Sequence, residues 1–158
     1  MRPDTIIIHC SATRENANFT VEQVDMSHKI AGYKRSVPGK LKHIGYQYYI
    51  RKDGKIFVGR NEDEVGAHTK GHNSHSIGIC YEGGLDANGK EKDTRTEAQK
   101  VAIIDLIRNI QTRWEIKAII GHRDVSPDLN GNGVVDTCER IKACPCFDAI
   151  PEYKYLLI

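Results

Sequence analysis

Two short apolar runs in this chain each end in a histidine. Thr5-Ile6-Ile7-Ile8 leads into His9, and Lys117-Ala118-Ile119-Ile120 leads through Gly121 into His122. Nearly continuous β-branched runs of this length suit strands buried on both faces, as in a sheet covered by helices. If the two runs are neighbouring strands of one sheet, both imidazoles emerge on the same rim. That pairing constrains the chain more tightly than its composition does.

A second motif follows the second histidine: Lys142-Ala143-Cys144-Pro145-Cys146. Imidazole and thiolate are good zinc ligands, and a lysine beside a metal can carry an oxyanion. Two histidines and one cysteine would give three protein ligands and an open fourth position, which is the pattern of a catalytic zinc. Cys144 is the candidate, with Cys146 as its rival.

The segments between these motifs predict the remaining elements. Thr20 with Gln23 has capping-box form and opens a helix expected over 21–33, with Val21, Val24, His28 and Ala31 at helical spacing. Gly45 to Arg51 reads as a strand, with Tyr46, Tyr48 and Ile50 on one face and Gln47 and Tyr49 on the other. Asp53-Gly54 is a hairpin turn returning through Ile56-Phe57-Val58, and Ser76 to Tyr81 is a further strand. Thr94 with Glu97 reads as a second capping box, opening a helix to about Trp114 with Ile103, Ile107, Ile110 and Trp114 as its buried stripe. The expected fold is a single α/β domain over 1–158, with a mixed central sheet of about five strands flanked by helices.

Length and charge exclude several classes. The 158 residues suffice for one domain with a real core, and no linker or repeat divides them. A net charge of +2 without a basic block argues against a nucleic-acid face. No apolar run approaches membrane-spanning length, and no apolar h-region opens the chain. The expectation is a monomer made in the cytoplasm without a signal peptide. Five cysteines rule out a complete disulfide framework, and Cys10 and Cys80 read as buried thiols.

Several pieces now fall into a known order: Ile8-His9-Cys10-Ser11-Ala12-Thr13, Gly45-Tyr46-Gln47-Tyr48-Tyr49-Ile50, Val65-Gly66-Ala67-His68, Asn73 to Cys80, Gly121-His122 and Lys142-Ala143-Cys144-Pro145. Together they span nearly the whole chain. In them the sequence resembles the zinc-dependent N-acetylmuramoyl-L-alanine amidases, in the phage-lysozyme-like branch that shares its fold with peptidoglycan recognition proteins. The resemblance implies zinc held by His9, His122 and Cys144, a catalytic pair of Tyr46 and Lys142, and His68 in the substrate groove. It implies hydrolysis of the bond between the lactyl group of muramic acid and L-alanine, with peptidoglycan as partner and action on the cell wall after release. The alternative is a recognition module that binds peptidoglycan without cleaving it. Loss of the zinc cysteine marks that branch, and Cys144 is present.

The resemblance leaves one stretch unexplained, the insert from Asp128 to Ile141. Its segment 128–139 reads as an EF-hand-like calcium loop. Asp128, Asn130 and Asn132 fall at positions one, three and five, Val134 would offer its carbonyl at seven, Asp136 falls at nine, and Glu139 at twelve. Calcium is therefore the second expected cofactor, and the bland reading is a Gly/Asn-rich surface turn.

Overall fold

A computed structural model describes residues 1–158. The strands are β1 (Thr5–Cys10), β2 (Thr13–Arg14), β3 (Tyr48–Ile50), β4 (Ile56–Val58), β5 (Ser76–Tyr81), β6 (Gly84–Leu85) and β7 (Ala118–Gly121). The helices are α1 (Val21–Ile30), α2 (Glu97–Gln111) and the short α3 (Ala149–Tyr153). The main sheet has five strands in the order β4-β3-β5-β1-β7, with β2 and β6 forming a separate small ribbon. β1 pairs in parallel with both β5 and β7, β3 pairs in parallel with β5, and only the β3–β4 hairpin is antiparallel. The expected mixed five-stranded sheet is therefore present, and the β2–β6 ribbon is an addition that its two-residue strands concealed.

The apolar runs do what their composition requires. Ile6, Ile7 and Ile8 have no exposed surface, so β1 is covered on both faces. The larger core cluster joins Ile6 and Ile8 of β1 to Ile77 and Ile79 of β5 and to Ile103, Ile107 and Ile110 of α2. A smaller cluster joins Val21 and Val24 of α1 to Ile44, Tyr49 and Cys80 on the other side. Each fully buried isoleucine or valine contributes about 1.5–3 kcal/mol of transfer free energy, so these two faces anchor the rim that carries the site.

The structure changes four local readings. α1 ends at Ile30 with Ala31 as its C-cap, shorter than the expected 21–33. The second capping box is shifted by two residues: Thr96 is the N-cap and Gln99 its partner, while the Thr94 hydroxyl accepts from Gly84 N–H at 2.7 Å. α2 stops at Gln111, and Trp114 is partly buried, with its indole N–H on Glu62 at 2.7 Å. Tyr46 packs with Tyr49, not with Tyr48 and Ile50. The strand begins only at Tyr48, because Gln47 uses its amide on Glu64 O and Gly78 N–H. Strict alternation therefore fails across 46–47. No helix is long and apolar enough to cross a membrane.

Candidate metal centre

Parallel pairing of β1 with β7 puts Ile8 opposite Gly121, so His9 and His122 leave adjacent strands at one rim. Their ring centroids are 4.5 Å apart. The third arm is the chain after the insert, which is fastened at three points. Arg123 N–H donates to Cys144 O at 2.8 Å, the Tyr81 hydroxyl donates to Pro145 O at 2.6 Å, and Cys10 N–H reaches Cys144 Sγ at 3.2 Å. Gly121 permits this approach, since a Cβ there would lie 2.6 Å from Pro145 Cδ.

Ligand atoms of His9, His122 and Cys144 all lie within 4.8 Å of one another. One zinc ion with bonds of about 2.0–2.3 Å can bridge such a trio with small side-chain adjustments. The rival, Cys146, faces elsewhere: its sulfur meets Gly84 O at 3.3 Å and Cys10 Sγ at 3.9 Å. The electrostatics suit a cation. Burial holds His9 well below the ordinary histidine range, helped by the His68, His122 and Lys142 charges. Burial, then the Lys142 charge, lowers His122 to about 4. Both imidazoles are neutral near pH 7 and have lone pairs to give. The Cys10 thiol, in contact with Cys144, is pushed up to about 12 and keeps its proton.

Around this trio the structure gathers the other expected residues. The Tyr46 ring lies 5.0 Å from His9, centroid to centroid, and 5.1 Å from His28. Burial, reinforced by the nearby thiols of Cys80 and Cys144, raises its phenol well above the ordinary range. Lys142 is exposed on the wall of a groove of about 540 Å³, which His68, His122, Lys70 and Tyr33 also line. His68 sits deeper than a groove residue needs to: its Nδ1 lies 2.9 Å from His9 Nε2.

Three participants escaped the sequence reading. Thr69 Oγ1 lies 3.0 Å from His68 Nδ1 and 3.3 Å from His9 Nε2. Asn73 Oδ1 accepts from the backbone N–H groups of both His68 and Thr69 at 2.9 Å. Cys10, read as a plain buried thiol, contributes its backbone N–H to the metal-facing sulfur. The His68-Thr69-(three residues)-Asn73 order carries a loop-closing asparagine, the one signal that could have flagged this turn.

The 128–139 loop closes on itself. Glu139 is buried, and its carboxylate accepts from Leu129, Asn130 and Asp136 N–H at 2.8–2.9 Å. Asp128 accepts from Gly131 and Gly133 N–H, and Asp136 accepts from the side-chain amides of Asn130 and Asn132. Asn130 and Asn132 turn their oxygens to the N–H groups of Asn132 and Val134. The expected calcium-ligand side chains thus meet N–H donors of the loop itself, and calcium gains no support from this geometry. No α-helix flanks the loop; a 3-10 turn at His122–Val125 lies before it and another at Thr137–Glu139 ends it.

Comparison with known proteins identifies the family. The N-acetylmuramoyl-L-alanine amidase family (Amidase_2) matches residues 1–145. The endolysin of Escherichia phage T7 is 34% identical over 145 residues, covering 92% of this chain and 82% of its own length. The solved Clostridium intestinale endolysin, an N-acetylmuramoyl-L-alanine amidase, superposes with a TM-score of 0.72 at 28% identity, covering 99% of this chain and 85% of that one. A bumblebee peptidoglycan recognition protein, PGRP-SA, shares the fold with a TM-score of 0.67 at 21% identity, over 99% of this chain and 82% of that one. The chain belongs to the N-acetylmuramoyl-L-alanine amidase family.

Proposed function

We propose that this protein is a zinc-dependent amidase of the endolysin kind, cleaving the amide between the muramic acid lactyl group and the L-alanine of the peptidoglycan stem. The observation that carries the reading is the trio of His9, His122 and Cys144, of which His122 lines an open groove walled by Lys142. Family membership and the phage endolysin relatives support the same substrate. A recognition module would not need a complete ligand trio, so the enzyme is the favoured reading.

When bound, zinc would supply Lewis acidity toward the amide carbonyl and a water of pKa lowered to about 7. The chain supplies the rest. Lys142 stands on the groove wall as an ammonium able to stabilise the tetrahedral oxyanion. Tyr46, whose raised pKa keeps its proton in place, orients the attacking water or hands a proton on as a donor. Lys70 adds a second cation to the groove, matched to the carboxylates of a stem peptide. We place its action at the cell wall after release, as a monomer.

The test is digestion of purified peptidoglycan with zinc-loaded protein. New L-alanine amino termini establish the amidase. New reducing sugars would make it a glycosidase, and binding without any new end would make it a recognition module.

A further inference from the structure

His68 lies in a slot made by two glycines. A Cβ on Gly66 would fall 2.6 Å from His68 Cδ2, and one on Gly78 would fall 2.8 Å from the same ring. Each clash is with the imidazole ring itself, not with the far end of a long flexible chain. The ring is therefore held at fixed depth and angle, with one nitrogen toward His9 and the other toward Ser76.

Counting the contact with Ser76 as a hydrogen bond gives the chain of bonds a direction. Ser76 Oγ lies 2.7 Å from the carbonyl of His72, and a carbonyl can only accept, so the hydroxyl proton is committed there. Ser76 Oγ is left to accept from His68 Nε2, 3.4 Å away. A neutral imidazole carries one proton. Placing it on Nε2 leaves His68 Nδ1 bare, facing His9 Nε2 at 2.9 Å, so His9 Nε2 must be the donor. Thr69 Oγ1, 3.3 Å from the same nitrogen, can share that proton. His9 then has its proton on Nε2 and its lone pair on Nδ1.

We infer that His68 is a positioning residue for the metal centre: through a directed chain from the His72 carbonyl by Ser76 and His68, it fixes the tautomer of His9 so that Nδ1 is presented to zinc. This rests on the zinc reading above. It gives His68 a task beyond lining the groove, and it gives the glycines at 66 and 78 a reason that their backbone angles do not. A histidine ligand commonly has its second nitrogen held in this way, and loss of the partner typically costs about 10–100-fold in metal affinity.

The test separates this inference from the zinc reading. Zinc affinity is measured by chelator competition for the parent, His68→Leu and His68→Asn, each with a metal-free thermal melt. The parent should bind tightly. His68→Leu fills the slot without an acceptor and should lose about 10–100-fold in affinity. His68→Asn keeps an oxygen near the Nδ1 position and should recover most of it. Equal affinity in all three overturns the inference while leaving the zinc site standing, whereas a parent that takes up no zinc overturns the zinc reading and this inference with it. Nitrogen-15 NMR of the zinc-loaded parent gives an answer independent of any variant. A proton on His9 Nε2 is the expected result, and a proton on Nδ1, with zinc on Nε2, overturns it.

Discussion

Cys10 N–H points at the sulfur of Cys144 across 3.2 Å, although 134 positions separate the two residues in the chain. β1 therefore contributes twice to one centre. His9 offers its ring, and the next residue offers a backbone donor to the third ligand. The backbone donor fixes where the Cys144 sulfur sits without adding a charge to the centre.

The ligand variants follow from this arrangement. His9→Ala, His122→Ala and Cys144→Ser should each abolish tight zinc binding and activity. Cys146→Ser should leave both, because its sulfur faces Gly84 O and Cys10. Cys10→Ala keeps the backbone donor and so should keep the zinc, at a stability cost of about 1 kcal/mol for the lost buried sulfur. Metal content by atomic emission decides it. A Cys146→Ser protein without zinc beside a Cys144→Ser protein with zinc would reverse the assignment.

The catalytic pair should separate binding from turnover. Tyr46→Phe and Lys142→Ala should keep their zinc and lose about 10²-fold or more in the hydrolysis rate, the scale of a proton-transfer group or an oxyanion donor. Lys142 is exposed on the groove wall, so its removal should leave the melting temperature unchanged. Parent rates in both variants would remove the pair from the mechanism.

His28 gives a pH dependence with a defined sign. Its Nδ1 accepts from Gly45 N–H at 2.7 Å, and its ring rests against Tyr33 and Tyr46. Burial, with a smaller push from the Arg60 charge, lowers it to about 4, while Asp25 opposes. The unfolded chain takes up this proton near pH 6.5, whereas the folded chain resists until about 4. Between these values the unfolded state binds more protons, so this contribution is complete above about pH 6.5 and is lost as the pH falls through the window. Chemical denaturation of metal-free protein from pH 7 to 4 should show the loss, and His28→Asn should flatten the slope. An unchanged slope in the variant would assign the acid sensitivity to other groups.

What the sequence disclosed, and what it concealed, divides along a physical line. The strands carrying His9 and His122 were legible because burial on both faces demands unbroken β-branched runs, and the larger core cluster answers to those runs. Tyr46 was placed with the wrong neighbours because Gln47, whose amide bridges Glu64 and Gly78, interrupts the alternation on which the face assignment rested. The shift from Thr94 to Thr96 as N-cap has a similar origin. Both threonines have an acidic or amide residue three positions on, and only the tertiary contact of Thr94 with Gly84 decides between them. His68 was found through the resemblance, but its contact with His9 spans 59 positions and leaves no local pattern.

The insert yields the last prediction. Its twelve-residue segment 128–139 matches a calcium loop position by position, yet the carboxylate at position twelve serves the loop's own backbone. Glu139 has 6% of its surface exposed and accepts three N–H groups, from Leu129, Asn130 and Asp136. A buried carboxylate is tolerable only with such partners, and here they tie both ends of the loop between His122 and Cys144 together. The loop should accordingly be ordered in chelator-treated protein. Glu139→Gln keeps the size but replaces one accepting oxygen with an NH₂ that faces N–H donors, and should destabilise the closed loop by about 1–3 kcal/mol. Limited proteolysis in the presence of EDTA reads this directly. The parent should resist cleavage between residues 128 and 141, and Glu139→Gln should be nicked there well before the rest of the domain unfolds. If the parent is cut in EDTA and protected by millimolar calcium, the loop is held by the cation after all, and Glu139 turns inward as a ligand when calcium is bound.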